Sequence, residues 1–492
     1  MPVIAAPERG RRAGVSTRIL LLACLPAAAL GLAVRVWLMR TSLSALNSDE
    51  AVTGLQAFEV LGGRFRAVVA GNEYGSTTET YLFAPVLALW TGVGPLRMLP
   101  VLLSVVAGYA LYRMALPILG RVPAAAVALV GWTTSGALAL IFLRAYMGYT
   151  TGFIAQVAAL ALACHAMRTE HKLARTAILG GFAGGFAAWS HPVFGTVALL
   201  SLSVPTLYRW RALRRWWLPL AAGGVLGAGP WLLFMARNGW PESALATVPT
   251  TYPQRLTRFF TELLPRGFGL RTPGGDWVGP DTLAVLVAAL LIGVSAAGMV
   301  TLVVLRGRSA LPILVAGVLA FPFLASFPPL GFVADGRYAL PLMPQLLMGL
   351  GAWLLLVPER IRHSPWLVVT VPTVWALLLV VPVVHHQIRW EWVDPHADVK
   401  QVVRELESRQ IRYLDGDYWT TYVADYLADG RLHAAVDVSV RLSEDQAAVD
   451  AADPSQVGYL YYDGAPPDLR LPLERYELVS IGNYDLYVPP GR

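Results

Sequence analysis

The chain has 492 residues, of which 55% are hydrophobic and only 14% charged, with a mean hydropathy of +0.52. That balance excludes an ordinary soluble enzyme and reads as an integral membrane protein. The formal charge of +7 does not point to nucleic acid, because the arginines sit in short clusters between apolar runs and no RNA-binding signature is present.

Arg9, Arg11, Arg12 and Arg18 precede an apolar run from Ile19 to Leu38. At about 20 residues it reads as a first transmembrane helix with a cytoplasmic N-terminus, not as a cleaved signal. Cys24 and Cys164 both fall in apolar runs, so no disulfide framework is expected. Apolar length places further spans at 96–115, 122–142, 148–167, 176–190, 193–208, 216–235, 282–305, 309–327, 339–357 and 365–384, about eleven in all. If they alternate, the cytoplasmic connections hold Arg113 and Arg121, then Arg168, Lys172 and Arg175. Arg209, Arg211, Arg214 and Arg215 follow, then Arg306 and Arg308, then Arg360 and Arg362. This is the bias a positive-inside topology requires. Tyr81 to Trp90 is only about half a span long, and counting it as a span would turn every later basic cluster outward. The stretch 77–93 is therefore expected to lie along the interface, broken by Gly92-Val93-Gly94-Pro95.

After Val384 the composition changes. Behind the helix start Asp394-Pro395, Val399, Val402, Val403 and Leu406 recur with the spacing of an amphipathic helix. Strand-like runs at 411–414, 434–440, 457–462, 476–481 and 484–488 surround a second helix near Trp419 to Ala428. The expected fold is an α-helical polytopic membrane protein over 1–384, with a first external loop at 39–95. A small extracytoplasmic α/β domain follows over 385–492.

The chemistry begins at Asn47-Ser48-Asp49-Glu50, between the first span and a helical segment. A carboxylate at the external membrane surface can serve as a general base, with Glu50 raising the pair's proton affinity by like-charge repulsion. The plainer alternative is Asp49 as a cap of the following helix. Asp335-Gly336-Arg337-Tyr338 lies at the external mouth of a span, where a guanidinium and a phenol can hold a lipid phosphate or simply anchor at the interface. Arg144, Tyr149 and His191 face the same side, the histidine favouring packing or helix termination. Asp415-Gly416-Asp417 reads as a turn after a strand, or with Tyr418 and Trp419 as a polar and aromatic contact surface. No P-loop, zinc-ligand spacing or Gly-x-Ser-x-Gly is present.

The ordered strings NSDEAVTGLQAFEVLGGRF, YGSTTETYLFAPVLALW, PLRMLPVLLSV, LRAYMGYTTG, GGFAAWSHP and DGRYALPLMP run along nearly the whole membrane part. Together they resemble the membrane-embedded GT-C superfamily of glycosyltransferases, in particular bacterial relatives of protein O-mannosyltransferases and the lipid A aminoarabinose transferase. The resemblance implies inverting transfer of a sugar from a polyprenyl monophosphate donor to an extracytoplasmic glycan, lipid or protein, in the cell membrane of a bacterium. It makes Asp49 the base, with Glu50 beside it. Arg337 and Tyr338, with Arg144, hold the donor phosphate, and Glu73, Glu79, Tyr149 and His191 shape the substrate pocket. Several relatives have an acidic residue where this chain has Arg144, so no metal site is assigned. Two other classes stay open: a transporter or lipid-linked-sugar flippase, which carboxylates confined to loops speak against, and a noncatalytic scaffold.

Overall fold

The computed structural model describes residues 15–72, 74–133, 136–239, 250–272, 275–325, 336–380, 394–464 and 475–491. Glu73, Asp335 and the 384/385 boundary lie outside them. The helices α1 (Thr17–Leu38), α2 (Ser48–Leu61), α3 (Thr78–Leu87) and α4 (Val93–Leu119) open the chain. Among the described residues, six stretches are long and apolar enough to cross a membrane: Thr17–Leu38, Val93–Leu119, Tyr149–Ala166, Leu213–Asn238, Asp281–Ala325 and Arg337–Leu355. Arg121–Trp132, Pro192–Tyr208 and Leu367–Val380 are apolar but shorter. The protein is thus a helical membrane protein, although these segments do not by themselves return a count of eleven. The expected 122–142 span, for one, is divided between Arg121–Trp132 and Gly136–Ile141. The stretch expected along the interface contains α3, a helix of only 10 residues, and α4 begins straight after Gly92, whose φ of +87° breaks the chain.

Close approach of backbones holds part of the helical body together. A Cβ placed on Gly181 would lie 2.0 Å from the Leu220 carbonyl oxygen, and one on Gly227 would lie 2.1 Å from that of Phe182. The Leu173–Ser190 and Leu218–Asn238 helices therefore touch backbone to backbone, the small-residue packing that replaces a hydrophobic driving force in lipid.

The last hundred residues build a five-stranded sheet in the order β2-β1-β3-β5-β4. The strands are β1 (Tyr413–Gly416), β2 (His433–Val436), β3 (Val457–Tyr462), β4 (Glu477–Ile481) and β5 (Tyr484–Val488). Both neighbours of β1 run parallel to it, and β5 is antiparallel to β3 and β4. The Tyr418–Leu427 helix crosses from β1 to β2, and the Ser443–Asp450 helix, not anticipated from sequence, leads back from β2 to β3. The stripe Val399, Val402, Val403 and Leu406 is buried as its spacing requires.

One apolar cluster joins this sheet domain to the membrane part, with Val52 and Leu55 of α2 packed together with Val402, Leu414, Tyr422 and Tyr426. Gly54 makes the contact possible, since a Cβ there would lie 2.2 Å from the Tyr426 ring. Phe58 stacks on the same ring at 5.8 Å, and the Tyr426 hydroxyl donates to the Gly92 carbonyl at 2.7 Å. The Leu46 amide donates to His396 Nε2 at 3.0 Å. Helix α2 is therefore clamped between the two parts of the chain.

Candidate active site

Helix α2 starts with Asn47 as its cap: the residue is extended, and its Oδ1 accepts from the Glu50 amide at 3.0 Å. The alternative of Asp49 as the cap is overturned. Asp49 stands one residue inside the helix, where the positive end of the helix favours a carboxylate while leaving its oxygens to partners from elsewhere. Those partners come from three places. Tyr418 donates its hydroxyl to Oδ1 at 2.7 Å, Arg337 Nη1 lies 3.5 Å from Oδ2, and Arg441 Nη2 lies 3.8 Å from Oδ1. Arg441 Nε also donates to the Tyr418 hydroxyl at 3.2 Å, so the three side chains brace one another. Ser48 fixes the same junction through a hydrogen bond to the Tyr418 carbonyl. Burial and the Asp49 charge raise the Tyr418 phenol well above its ordinary range, so it remains a donor at neutral pH.

Glu50 points away from Asp49. It is completely buried in an ion pair with Arg97 of α4, with Arg144 Nε 3.8 Å from Oε1. Arg97 also donates to the Ser44 carbonyl at 2.8 Å. The expected repulsion between the two carboxylates gives way to separate partners, with Glu50 matched by cations on its own side of the helix. Arg144 is held in place by donating to the Tyr146 hydroxyl and to the Leu43 carbonyl, each at 2.7 Å.

Arg337 sits beside three aromatic rings, 5.5 Å from the Tyr146 centroid, 5.6 Å from Tyr338 and 5.8 Å from Tyr149. The left-handed Gly336 (φ +78°) just before it passes close over Arg266, where a Cβ would come within 3.1 Å of Arg266 Cβ. His191 lies one layer further in, its ring 4.9 Å from Tyr149 and 6.1 Å from Tyr338. The Val193 amide donates to His191 Nδ1 at 3.3 Å, capping the Pro192–Tyr208 helix. Burial, helped by Arg337, pushes this imidazole down to about 3 and keeps it neutral. With Nδ1 accepting, the ring proton belongs on Nε2 and points at the Tyr149 hydroxyl 3.2 Å away. Glu79 Oε1 accepts from the Thr151 amide and hydroxyl at 3.0 and 3.1 Å, in the first turn of the Tyr149–Ala166 helix. Burial pushes this carboxyl up to about 7.

The structure therefore gathers Asp49, Arg337, Tyr338, Arg144, Tyr149 and His191 in one region, with Glu50 on its protein side and Glu79 beneath the Tyr149 helix. Sequence reasoning missed Arg97, Tyr146 and Arg441, and it missed Tyr418 as a partner of Asp49. Arg97 carried a signal, an arginine inside an apolar run, which calls for a buried partner. Tyr418 and Arg441 carried none, being 369 and 392 positions from Asp49 in the chain. Among the described residues no three His, Cys, Asp or Glu side chains converge as metal ligands would.

No family model matches the sequence, and no curated protein does. Solved structures match over nearly the whole chain. ArnT from Cupriavidus metallidurans bound to undecaprenyl phosphate aligns over 94% of this chain and 97% of its own, at TM-score 0.58 and 15% identity. Its apo state aligns with the same coverage at TM-score 0.61 and 14% identity. The archaeal oligosaccharyltransferase AglB from Archaeoglobus fulgidus, in complex with an inhibitory peptide and a dolichol-phosphate, aligns over 96% of this chain and 74% of its own, at TM-score 0.54 and 12% identity. ArnT and AglB are both GT-C proteins, and the chain has the GT-C fold.

Proposed function

We propose that the protein is an inverting glycosyltransferase that moves a sugar from a polyprenyl monophosphate to an extracytoplasmic acceptor. The observation that carries this reading is the seat of Asp49: a carboxylate at a helix start, oriented by Tyr418 and faced by Arg337 and Arg441. Support comes from the fold it shares with proteins solved with undecaprenyl phosphate and with dolichol-phosphate.

In this reading Asp49 takes the proton of the acceptor hydroxyl as its oxygen attacks the anomeric carbon. The bond from that carbon to the phosphate oxygen breaks, and the phosphate leaves with the electron pair. The leaving group gains negative charge, which Arg337 meets, with Arg144 as a second cation. Phosphate leaves readily, so a base without a partner acid is sufficient. The long 3.5 Å contact between Arg337 and Asp49 suits an arginine that turns to an arriving phosphate and uncovers the carboxylate. Glu50 and Arg97 act beneath, fixing the first turn of α2. Residues 385–492 form an extracytoplasmic domain in this reading, and the N-terminus is cytoplasmic.

The test compares wild type with Asp49→Asn in detergent, following release of polyprenyl phosphate from radiolabelled lipid-linked sugars with cell-envelope extract as acceptor. Turnover with one donor, lost in the folded variant, is expected. A folded wild type that releases nothing from any donor would overturn the proposal.

A further inference from the structure

We infer that the cleft between the Ala45–Asn47 loop and the carboxyl ends of β1, β2 and β3 is a saccharide-binding subsite, one that receives the glycan part of the acceptor. The inference deepens the transferase reading and rests on it.

In an open α/β sheet the connections leave the strand ends in different directions, and the gap that opens there is where ligands settle. Here the strand that follows β1 in the chain is β2, on one side of the β1–β3 pair, and the strand that follows β3 is β4, on the other. The resulting cleft has a volume of about 760 Å³, within the range of small-ligand sites. Its walls carry Trp419, Tyr462 and Tyr484 as aromatic surfaces, with Asp437 and Arg144 as charged groups.

The aromatic residues decide the class of ligand. Trp419 is 60% exposed and Tyr462 is 52% exposed, whereas the other described aromatic residues of this domain are buried or half-buried. Exposed aromatic faces gathered on the wall of one cleft make the kind of patch that marks a binding surface. The C–H faces of a pyranose ring suit them, and the hydroxyl edges suit the carboxylate and guanidinium nearby. Asp417 braces this surface from behind, because its carboxylate accepts from the Trp419, Thr420 and Tyr462 amides at 2.8, 3.2 and 3.1 Å. It thereby ties the backbone at Trp419 to the backbone at Tyr462, so the two positions that carry the exposed rings are joined in advance of any ligand.

Position then links the cleft to the chemistry. Tyr418 lies on its wall and donates to Asp49 at 2.7 Å, while Asn47 and Arg144, also on the wall, hold the first turn of α2 and Glu50. The cleft therefore adjoins the seat of Asp49 and shares Tyr418 with it.

The experiment uses the full chain in nanodiscs and saturation-transfer NMR with maltotetraose, cellotetraose, mannotetraose, chitotetraose and an extended eight-residue peptide as probes. Binding of at least one tetrasaccharide is expected, weakened about tenfold or more by Trp419→Ala and by Tyr462→Ala. No tetrasaccharide binding at millimolar concentrations, binding by both variants as tight as by wild type, or binding of the peptide alone would overturn the inference. In parallel, release of polyprenyl phosphate is followed against acceptor concentration. An acceptor KM raised about tenfold in Trp419→Ala, with donor KM unchanged, supports the subsite; an unchanged acceptor KM with normal donor use overturns it while leaving the transferase reading intact. Donor use absent in wild type overturns the transferase reading, whereas loss of tetrasaccharide binding in the variants still reports the cleft itself.

Discussion

Breaking one side of the Glu50–Arg97 pair is expected to destabilise the protein far more than removing both sides. Glu50 is fully buried, and the Arg97 side chain is only 6% exposed. Arg97→Met would leave the carboxylate with Arg144, 3.8 Å away, as its other cation among the described residues. Two unit charges about 4 Å apart at an effective dielectric of about 20 attract by roughly 4 kcal/mol. Removing one member of such a pair costs about 3–5 kcal/mol, because the other is left buried without its counter-charge. Arg97→Met also frees the Ser44 carbonyl, which now accepts at 2.8 Å, so it should cost slightly more than Glu50→Gln. The double variant Glu50→Gln/Arg97→Met strands neither charge and is expected to recover at least about 2 kcal/mol relative to the sum of the single changes. Equilibrium unfolding of the four proteins in mild detergent, followed by tryptophan fluorescence, measures this coupling. A coupling below about 0.5 kcal/mol would refute the view that this pair seats the helix carrying Asp49.

Arg337→Ala is expected to raise the donor KM about tenfold while Asp49→Asn lowers kcat by about a hundredfold or more; matching effects on both parameters would remove the case for separate roles. Tyr418→Phe, which loses one hydrogen bond to a carboxylate worth about 1.5–3 kcal/mol, should lower kcat by about tenfold or more with the fold intact, and unchanged kcat would show that Asp49 does not need this donor. The Glu79 carboxyl, raised from 4.5 to about 7 by burial, stays protonated in the folded protein over a range where the unfolded chain ionises. Its contribution is full below about pH 4.5 and is lost as pH rises through 7, at up to about 1.4 kcal/mol per pH unit; melting in detergent from pH 5 to 7 should show this slope, and an identical slope in Glu79→Gln would disprove its source. For topology, Ser48 is fully buried and unsuited to labelling. In a background lacking Cys24 and Cys164, Leu478→Cys should react with an impermeant maleimide on intact cells and Leu213→Cys only after permeabilisation; the reverse pattern would invert the orientation.

The class of the protein was legible in the sequence because hydropathy and periodicity are local. Twenty apolar residues cross a bilayer whatever surrounds them, and the Val399 to Leu406 stripe buries one face of its helix wherever the core lies. The ordered loop strings pointed to the GT-C fold that the matching solved structures share. The sequence also brought out Asp49 and Arg337, since a carboxylate and a guanidinium at span mouths are conspicuous in a chain so poor in charge. It did not decide which partner each charge takes. Adjacent Asp49 and Glu50 look alike in the chain, yet neighbouring residues on a helix point in directions about 100° apart. One therefore meets Tyr418 and Arg441 from the sheet domain, and the other meets Arg97 from α4. Tertiary structure alone decided this, because Tyr418 and Arg441 reach Asp49 only through the closure of a loop of more than 350 residues, and Arg97 reaches Glu50 across 47. The contact that closes it rests on Gly54 leaving room for the ring of Tyr426.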